Sequence, residues 1–319
     1  MRMGRGRRAF RVRRNGVAYR LLVCFDRLAG VPAPAAELSA GTTGPDRAPH
    51  PPVSAPELHA LETALCVRDE HAARVTVLAL GPASSCEALR EALYRGADEA
   101  ILVSDPRMSG SDSLAAGYIL SCAVRKIGPD GVVCPARTVD GDTASSGVQA
   151  AARAGLVPIT AVDRPIAIER RTVTARRDTG AGWELVSADL PVLLTVTNAA
   201  NAPRPPAMKR MMKYKKARSR EEIERAIASG ARGAGESTRS EIERECAALD
   251  AKGLLIRTWN LDDIGADPSK CGTAGSRTRI QRIQSVDLSD LSDGPSGIFE
   301  STDEGIARLV AALLRDHTI

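Results

Sequence analysis

A chain of 319 residues is long enough for one large α/β domain with appendages, or for two domains. Hydrophobic residues make up 43% but aromatic ones only 3%, so the core must be built mainly of Ala, Val, Leu and Ile, and no apolar run approaches the length of a bilayer span. Residues 1–20 hold eight arginines and no acid; a net charge of +5 less these 8 leaves −3 for the remainder, which confines any nucleic-acid reading to that tail and argues against it.

In chain order, residues 1–18 read as a disordered basic tail with no apolar stretch of secretory-signal type after it. YRLLVCF (19–25) reads as a buried strand, and the Pro-, Ala- and Gly-rich stretch 29–53 as loop. Leu58, Leu61 and Leu65 mark a helix over 56–70 behind Pro56. RVTVLAL (74–80) is the next strand. Ser84 and Glu87 have capping-box spacing before a helix that Gly96 should end. EAILV (99–103), a helix over 111–128, the short strand GVVC (131–134) and a helix ending at Gly155 follow. Strict alternation with short connections forces parallel pairing, so the expected fold is α/β, a doubly wound parallel sheet covered by helices.

Beyond residue 160 the pattern becomes strand-like, with DTGAG as a turn between two runs, and predicts an antiparallel extension that includes LPVLLTV (190–196). Residues 217–253 read as a charged helical insertion. Residues 254–319 read as a C-terminal arm and helix, with Ser301 and Glu304 at capping-box spacing. Seven cysteines without CxxC and four scattered histidines give neither zinc-ligand spacing nor a disulfide framework, and point to a reduced, cytoplasmic protein.

The stretch CPARTVDGDTASSG (134–147) falls where a parallel sheet receives its ligand, between a strand's carboxyl end and a helix. An acid/base role for Asp140 and Asp142 lacks a nucleophile or histidine partner, and a metal would need more oxygen ligands. Small residues Thr143, Ala144, Ser145, Ser146 and Gly147 would let a phosphate approach bare backbone N–H groups. Asp142 or Thr143 acting only as a helix cap is equally compatible with the spacing. There is no GxGxxG after a strand and no GxxxxGK[ST].

Five blocks carry a resemblance over most of the chain: VTVLALGP (75–82), LREALYRGADEAILVSD (89–105), IGPDGVVCPARTVDGDTASSG (127–147), ARRDTGAGWELVSADLPVLLTVT (175–197) and NAPRPPAMKRMMKYKKA (201–217). Their order and spacing resemble the β subunit of an electron-transfer flavoprotein. DGDT, TWNLDDIGADP and GSRTRI are closest to the bifurcating or nitrogen-fixation-associated branch.

The resemblance implies an adenine-nucleotide-α-hydrolase-like α/β domain over 19–216 and a C-terminal arm contacting an electron-transfer flavoprotein α subunit. It implies a pocket holding AMP or, in bifurcating members, FAD. Carried over by position, that pocket is lined by Cys24, Ser54, Ala55, Pro56, Glu57, Leu80 and the loop through Asp140, Gly141, Asp142, Thr143, Ala144, Ser145 and Ser146. Asp26 stands where the family usually has a lysine, and Ser145-Ser146-Gly147-Val148 where Q-V-G-P usually follows DGDT.

A further loop, Asn198, Ala199, Ala200 and Asn201, matches the one that docks a dehydrogenase or quinone oxidoreductase partner, with Ala200 at the place of the anchoring leucine. The function implied is an electron-carrier subunit working with NADH or a dehydrogenase and a quinone- or ferredoxin-linked acceptor, rather than a stand-alone catalyst or a membrane-inserted protein. A universal-stress-type nucleotide sensor or a scaffold with an empty pocket are the alternatives.

Overall fold

The computed structural model describes residues 19–28, 53–137, 145–164, 166–230, 236–278 and 301–315. The basic tail over 1–18 and the loop from Asp140 to Ala144 lie outside them. The chain divides into two compact units, residues 1–278 and 279–319.

In the first unit, β1 (Tyr19–Asp26), α1 (Ala55–Glu70), β2 (Ala73–Leu80), α2 (Cys86–Arg95), β3 (Glu99–Val103), α3 (Ser113–Ile127), β4 (Gly131–Pro135) and α4 (Ser145–Ala154) alternate as expected. There follow β5 (Val157–Val162), β6 (Ala167–Glu169), β7 (Thr172–Asp178), β8 (Trp183–Asp189) and β9 (Val192–Val196). The unit closes with α5 (Met208–Tyr214), β10 (Arg218–Ser219), α6 (Arg220–Gly230), α7 (Glu236–Ala251), β11 (Leu255–Trp259) and the single turn α8 (Gly272–Gly275).

The sheet runs β10-β11-β3-β2-β1-β4-β9-β5-β7-β6, with β8 on β7. Pairing is parallel from β10 to β5 and antiparallel among β5, β6, β7 and β8. Period-2 burial splits β1 between two cores: Leu21, Val23 and Phe25 pack with α1 and α2, whereas Leu22 and Cys24 pack with α3 and α4.

Two placements differ from the sequence reading. LPVLLTV does not extend the antiparallel ribbon; β9 inserts between β4 and β5, parallel to both. All five of its residues are buried, which is the unbroken apolar run of a strand covered on both faces. Residues 254–278 belong to the first unit, because β11 pairs in parallel with β3 at the sheet's other end.

Local capping explains where the helices begin. Ser54 caps α1 in a full capping box with Glu57. Ser84 does not cap α2: a 3-10 turn over Ala83–Ser85 leads straight into the helix, leaving Ser85 at the cap position in helical conformation without a side-chain bond. Asp112 caps α3, and Gly128, with φ 59°, ends it.

In the second unit, α9 (Asp303–Arg315) is capped one residue later than its sequence spacing predicts, by Thr302 Oγ1, which accepts from Gly305 N at 3.1 Å. Its Ile306, Val310 and Leu314 are exposed. Among the described residues no helix is long and apolar enough to cross a membrane.

Candidate functional site

From β1 the chain passes to β2 and β3 on one side, then crosses to β4 on the other. The strand order therefore reverses between β1 and β4, and the crevice beyond their carboxyl ends is the switch point where ligands enter such sheets. A shallow, open cleft lies there, lined by Cys24, Phe25 and Asp26 of β1, Leu80 of β2, Leu120 of α3, Cys134 and Pro135 of β4, and Ser146 and Gly147 of α4. Three residues assigned to the pocket from the sequence, Cys24, Leu80 and Ser146, thus meet at one place.

Cys24 and Cys134 follow the paired residues Val23 and Val133 on neighbouring strands. Cys134, hydrogen-bonded beside it, and then burial push the Cys24 thiol well above its usual range. Cys24 therefore stays a neutral thiol near pH 7 and serves as a small apolar part of the cleft wall rather than as a nucleophile.

Two glycines bring α4 onto this floor. A Cβ at Gly147 would lie 3.0 Å from Cys134 Sγ and 3.2 Å from Cys134 Cβ. A Cβ at Gly117 of α3 would lie 2.9 Å from Gln149 Cβ and 3.0 Å from the Ser146 carbonyl oxygen. The start of α4 is therefore seated directly on the end of β4. The lining is mostly apolar, with Asp26, whose Oδ1 accepts from Leu28 N at 3.3 Å, as its one acidic residue.

Ser54 and Glu57 are engaged otherwise. Glu57 Oε2 accepts from Ser54 N at 2.7 Å and Ser54 Oγ at 2.9 Å, and lies 3.4 Å from Arg27 Nη1. Both charged side chains of that pair are under 10% exposed. Arg27 N in turn donates to Leu80 O at 2.9 Å. The Ser54–Glu57 segment, with Ala55 exposed and Pro56 half-buried, is thus tied to the end of β1 without lining the cleft.

In the loop after β9, Asn198 and Ala199 are exposed, but Ala200 is 4% exposed and packs into the core rather than facing a partner. Asn201 clamps this loop to α1, donating to His59 O at 3.0 Å and Thr63 Oγ1 at 2.7 Å. The exposed residues of this segment are Asn198 and Ala199 before the clamp and Ala202 after it.

Sequence reasoning missed the strap formed by residues 260–278. Asp105 accepts from Arg107 Nε, Arg107 Nη2 and Leu261 N at 2.9, 2.7 and 3.2 Å, and Arg107 reaches Asp262 at 2.8 Å. Asp112 holds the strap's far end. Asp98, by contrast, accepts from Val75 N at 2.9 Å, and among the described residues no three His, Cys, Asp or Glu side chains group as a metal site.

The Arg107 hydrogen bonds hold the Asp105 carboxyl down to about 2, against the pull of burial. Burial raises Asp112, but N–H donations from Ala115, Thr278 and Arg277 outweigh it and bring it to about 2. Since both folded-state values lie below the ordinary 3.8, their stabilisation is complete above that pH and is lost as pH falls from about 4 to 2. Discounting for solvent, each contributes about 1–2 kcal/mol. Hydrogen exchange of residues 261–278 should therefore accelerate over that window in a titration, and Asp112→Asn should remove part of the acid limb. An acid limb unchanged by the substitution would mean that Asp112 does not hold the strap.

Comparison with known proteins agrees with this geometry. The electron transfer flavoprotein domain model matches residues 50–227. A protein named FixA from Azorhizobium caulinodans is 35% identical over 235 residues, covering 71% of this chain and 70% of that protein. An electron transfer flavoprotein subunit beta from Clostridium acetobutylicum is 28% identical over 261 residues, covering 82% and 85%. The caffeyl-CoA reductase-Etf complex subunit CarD from Acetobacterium woodii is 30% identical over 265 residues, covering 82% and 86%. With the domain match spanning more than half of its length and β subunits and FixA proteins as its relatives, the chain belongs to the electron transfer flavoprotein β-subunit family.

Proposed function

We propose that this chain is the β subunit of a heterodimeric electron transfer flavoprotein and binds FAD, or AMP in the same place, at the switch-point cleft. The observation that carries the reading is the coincidence of three features: the reversal of strand order at β1 and β4, a cleft there, and the start of α4 on its rim. A flavin bound there would supply the redox chemistry.

The protein's own part is to bind, orient and exclude water. Ser145 and Ser146 would offer helix N–H groups to a phosphate, and Asp140, Gly141, Asp142, Thr143 and Ala144 belong to the same site by the family resemblance. Asn198 and Ala199 would face a dehydrogenase or quinone oxidoreductase, and the α subunit would hold a second flavin. Similarity to a subunit of a caffeyl-CoA reductase-Etf complex supports a place in a redox complex; the donor in this proposal is NADH or a dehydrogenase, and the acceptor is quinone- or ferredoxin-linked.

A second reading, a scaffold with an empty cleft, is favoured by Asp26, which lines the cleft at the place where the family usually has a lysine. Extraction and mass analysis of the flavin and nucleotide content of this chain, copurified with its α partner, separates the two. Two FAD per heterodimer, or one FAD with one AMP, are the expected results. Full α-subunit flavin with neither ligand in the second site would overturn the proposal and leave the scaffold.

A further inference from the structure

At the end of the sheet opposite the cleft, a cavity of about 210 Å³ opens beside the amino-terminal ends of β1, β2 and β3. The two-residue period of the strands puts Arg20, Arg74, Glu99 and Arg257 on the face that carries Leu22, Leu78 and Ile101. Toward the carboxyl ends, apolar side chains of α3, α4 and the strap complete the core on that face. Toward the amino ends the four charged residues line the cavity instead, together with Ile101, Ile127 and Trp259.

These charges are unfavourable neighbours. Arg20 and Arg74 are register partners on adjacent strands, where like charges repel. Arg20 turns to the end of α3, donating to Ile127 O at 2.9 Å and to Gly128 O. Arg74 and Arg257 converge on Glu99, whose Oε2 lies 3.3 Å from Arg74 Nη2 and whose Oε1 lies 3.0 Å from Arg257 Nη1. Glu99 is 23% exposed, whereas the two arginine side chains are 53% and 55% exposed. One carboxylate among three guanidiniums leaves positive charge in excess around the cavity. At its border Lys126, 4.4 Å from the centre of the Trp259 ring, is offset by Asp130, whose Oδ2 accepts from Arg20 N at 2.8 Å.

Two guanidiniums that already flank one carboxylate are spaced to flank a second. Each gives Glu99 one contact and has five N–H donors, so each keeps donors for a further acceptor. The rest of the lining selects the body of the ligand. Ile101, Ile127 and Trp259 form an apolar wall, and the volume is the share of about seven liquid waters, which suits a small molecule rather than a nucleotide. The helix end at this cavity is the carboxyl terminus of α3, the negative end of its dipole, where a phosphate dianion meets more repulsion than a monoanion.

We infer that this cavity binds a small organic monocarboxylate, its charged end held by Arg74 and Arg257 and its apolar body against Ile101, Ile127 and Trp259. Glu99 is a positioning residue that holds the two guanidiniums together.

The test is calorimetric titration of the full chain with benzoate, neutral benzyl alcohol and inorganic phosphate. Wild type should bind benzoate in preference to the other two. Arg257→Ala should weaken benzoate about tenfold or more, as expected for loss of a charge-assisted hydrogen bond. Glu99→Gln removes the competing carboxylate and should tighten benzoate by about threefold. Thermal midpoints should move little in either variant, because the arginines are half exposed. Benzoate should also change the Trp259 fluorescence of a Trp183→Phe variant, which locates the ligand. Benzoate affinity in Arg257→Ala equal to wild type overturns the inference, as does equal affinity for benzyl alcohol or phosphate. Neither heat nor a fluorescence change at millimolar benzoate overturns it too, whatever the nucleotide content of the cleft.

Discussion

Arg204→Ala should lower the unfolding free energy by about 3 kcal/mol, the low end of the cost of leaving a buried charge without its partner. Glu62 is the group left behind. Its side chain is 8% exposed and takes a forked pair from Arg204, Nε at 2.8 Å and Nη2 at 2.8 Å, with Arg204 N at 3.1 Å as a third donor. The same guanidinium reaches Asp69 at 2.8 Å. Arg204 itself is 29% exposed, so water enters from one side and the upper end of the range does not apply. Arg204→Lys should lose about half as much, since an ammonium cannot reproduce the fork.

The double variant Glu62→Gln/Arg204→Ala should regain about 1–2 kcal/mol over Arg204→Ala, because the uncompensated charge is gone. Urea midpoints at constant slope provide the measurement. Additive single effects, each under about 1 kcal/mol, would show that the pair is effectively solvated. The outcome bears on function because Arg204 and Asn201 together fasten the Asn198–Ala199 turn to α1.

The sheet from β1 to β4 was legible because each strand is short, apolar and followed by an amphipathic or alanine-rich helix, so the connections dictated parallel order. What misled at β9 was its neighbour in sequence. β8 is exposed along most of its length and belongs to the ribbon, and LPVLLTV follows it without a helix. Its continuous apolar run was the available signal.

Ala200 was assigned by position to an exposed role that its burial does not support; a lone alanine carries no local pattern that separates core from surface. Cys134 could have been found, since it occupies the same place in its strand as Cys24 does in β1. The strap could not. Asp112 and Thr278 are 166 residues apart, and no periodicity or spacing announces a hydrogen bond across that distance.

Gly147→Val should abolish nucleotide retention and destabilise the fold by about 2–3 kcal/mol, through crowding at one contact. Alanine is the instructive comparison. Replacing a helical glycine with alanine gains about 1 kcal/mol in propensity, whereas a Cβ 3.0 Å from Cys134 Sγ and 3.2 Å from Cys134 Cβ forces the helix or the strand to yield. Crowding of that kind costs about 1–3 kcal/mol, so Gly147→Ala should be mildly destabilising or neutral. Valine gives up most of the propensity gain and adds two methyl groups in the same place, so crowding decides.

Because Cys134, Ser146 and Gly147 all line the cleft, any shift of α4 that accommodates valine changes the ligand's wall as well as the packing. Cys134→Ala removes the sulfur that stands closest, so Gly147→Ala/Cys134→Ala should be more stable than the two single effects predict by about 1 kcal/mol. Measuring nucleotide per folded chain separates loss of the site from loss of the fold. Wild-type retention in Gly147→Val, with an unchanged melting midpoint, would mean that α4 is not seated by this glycine and that the cleft's shape is set elsewhere. Loss of nucleotide in a chain that remains folded would tie ligand binding to the 3.0 Å approach of α4 to β4.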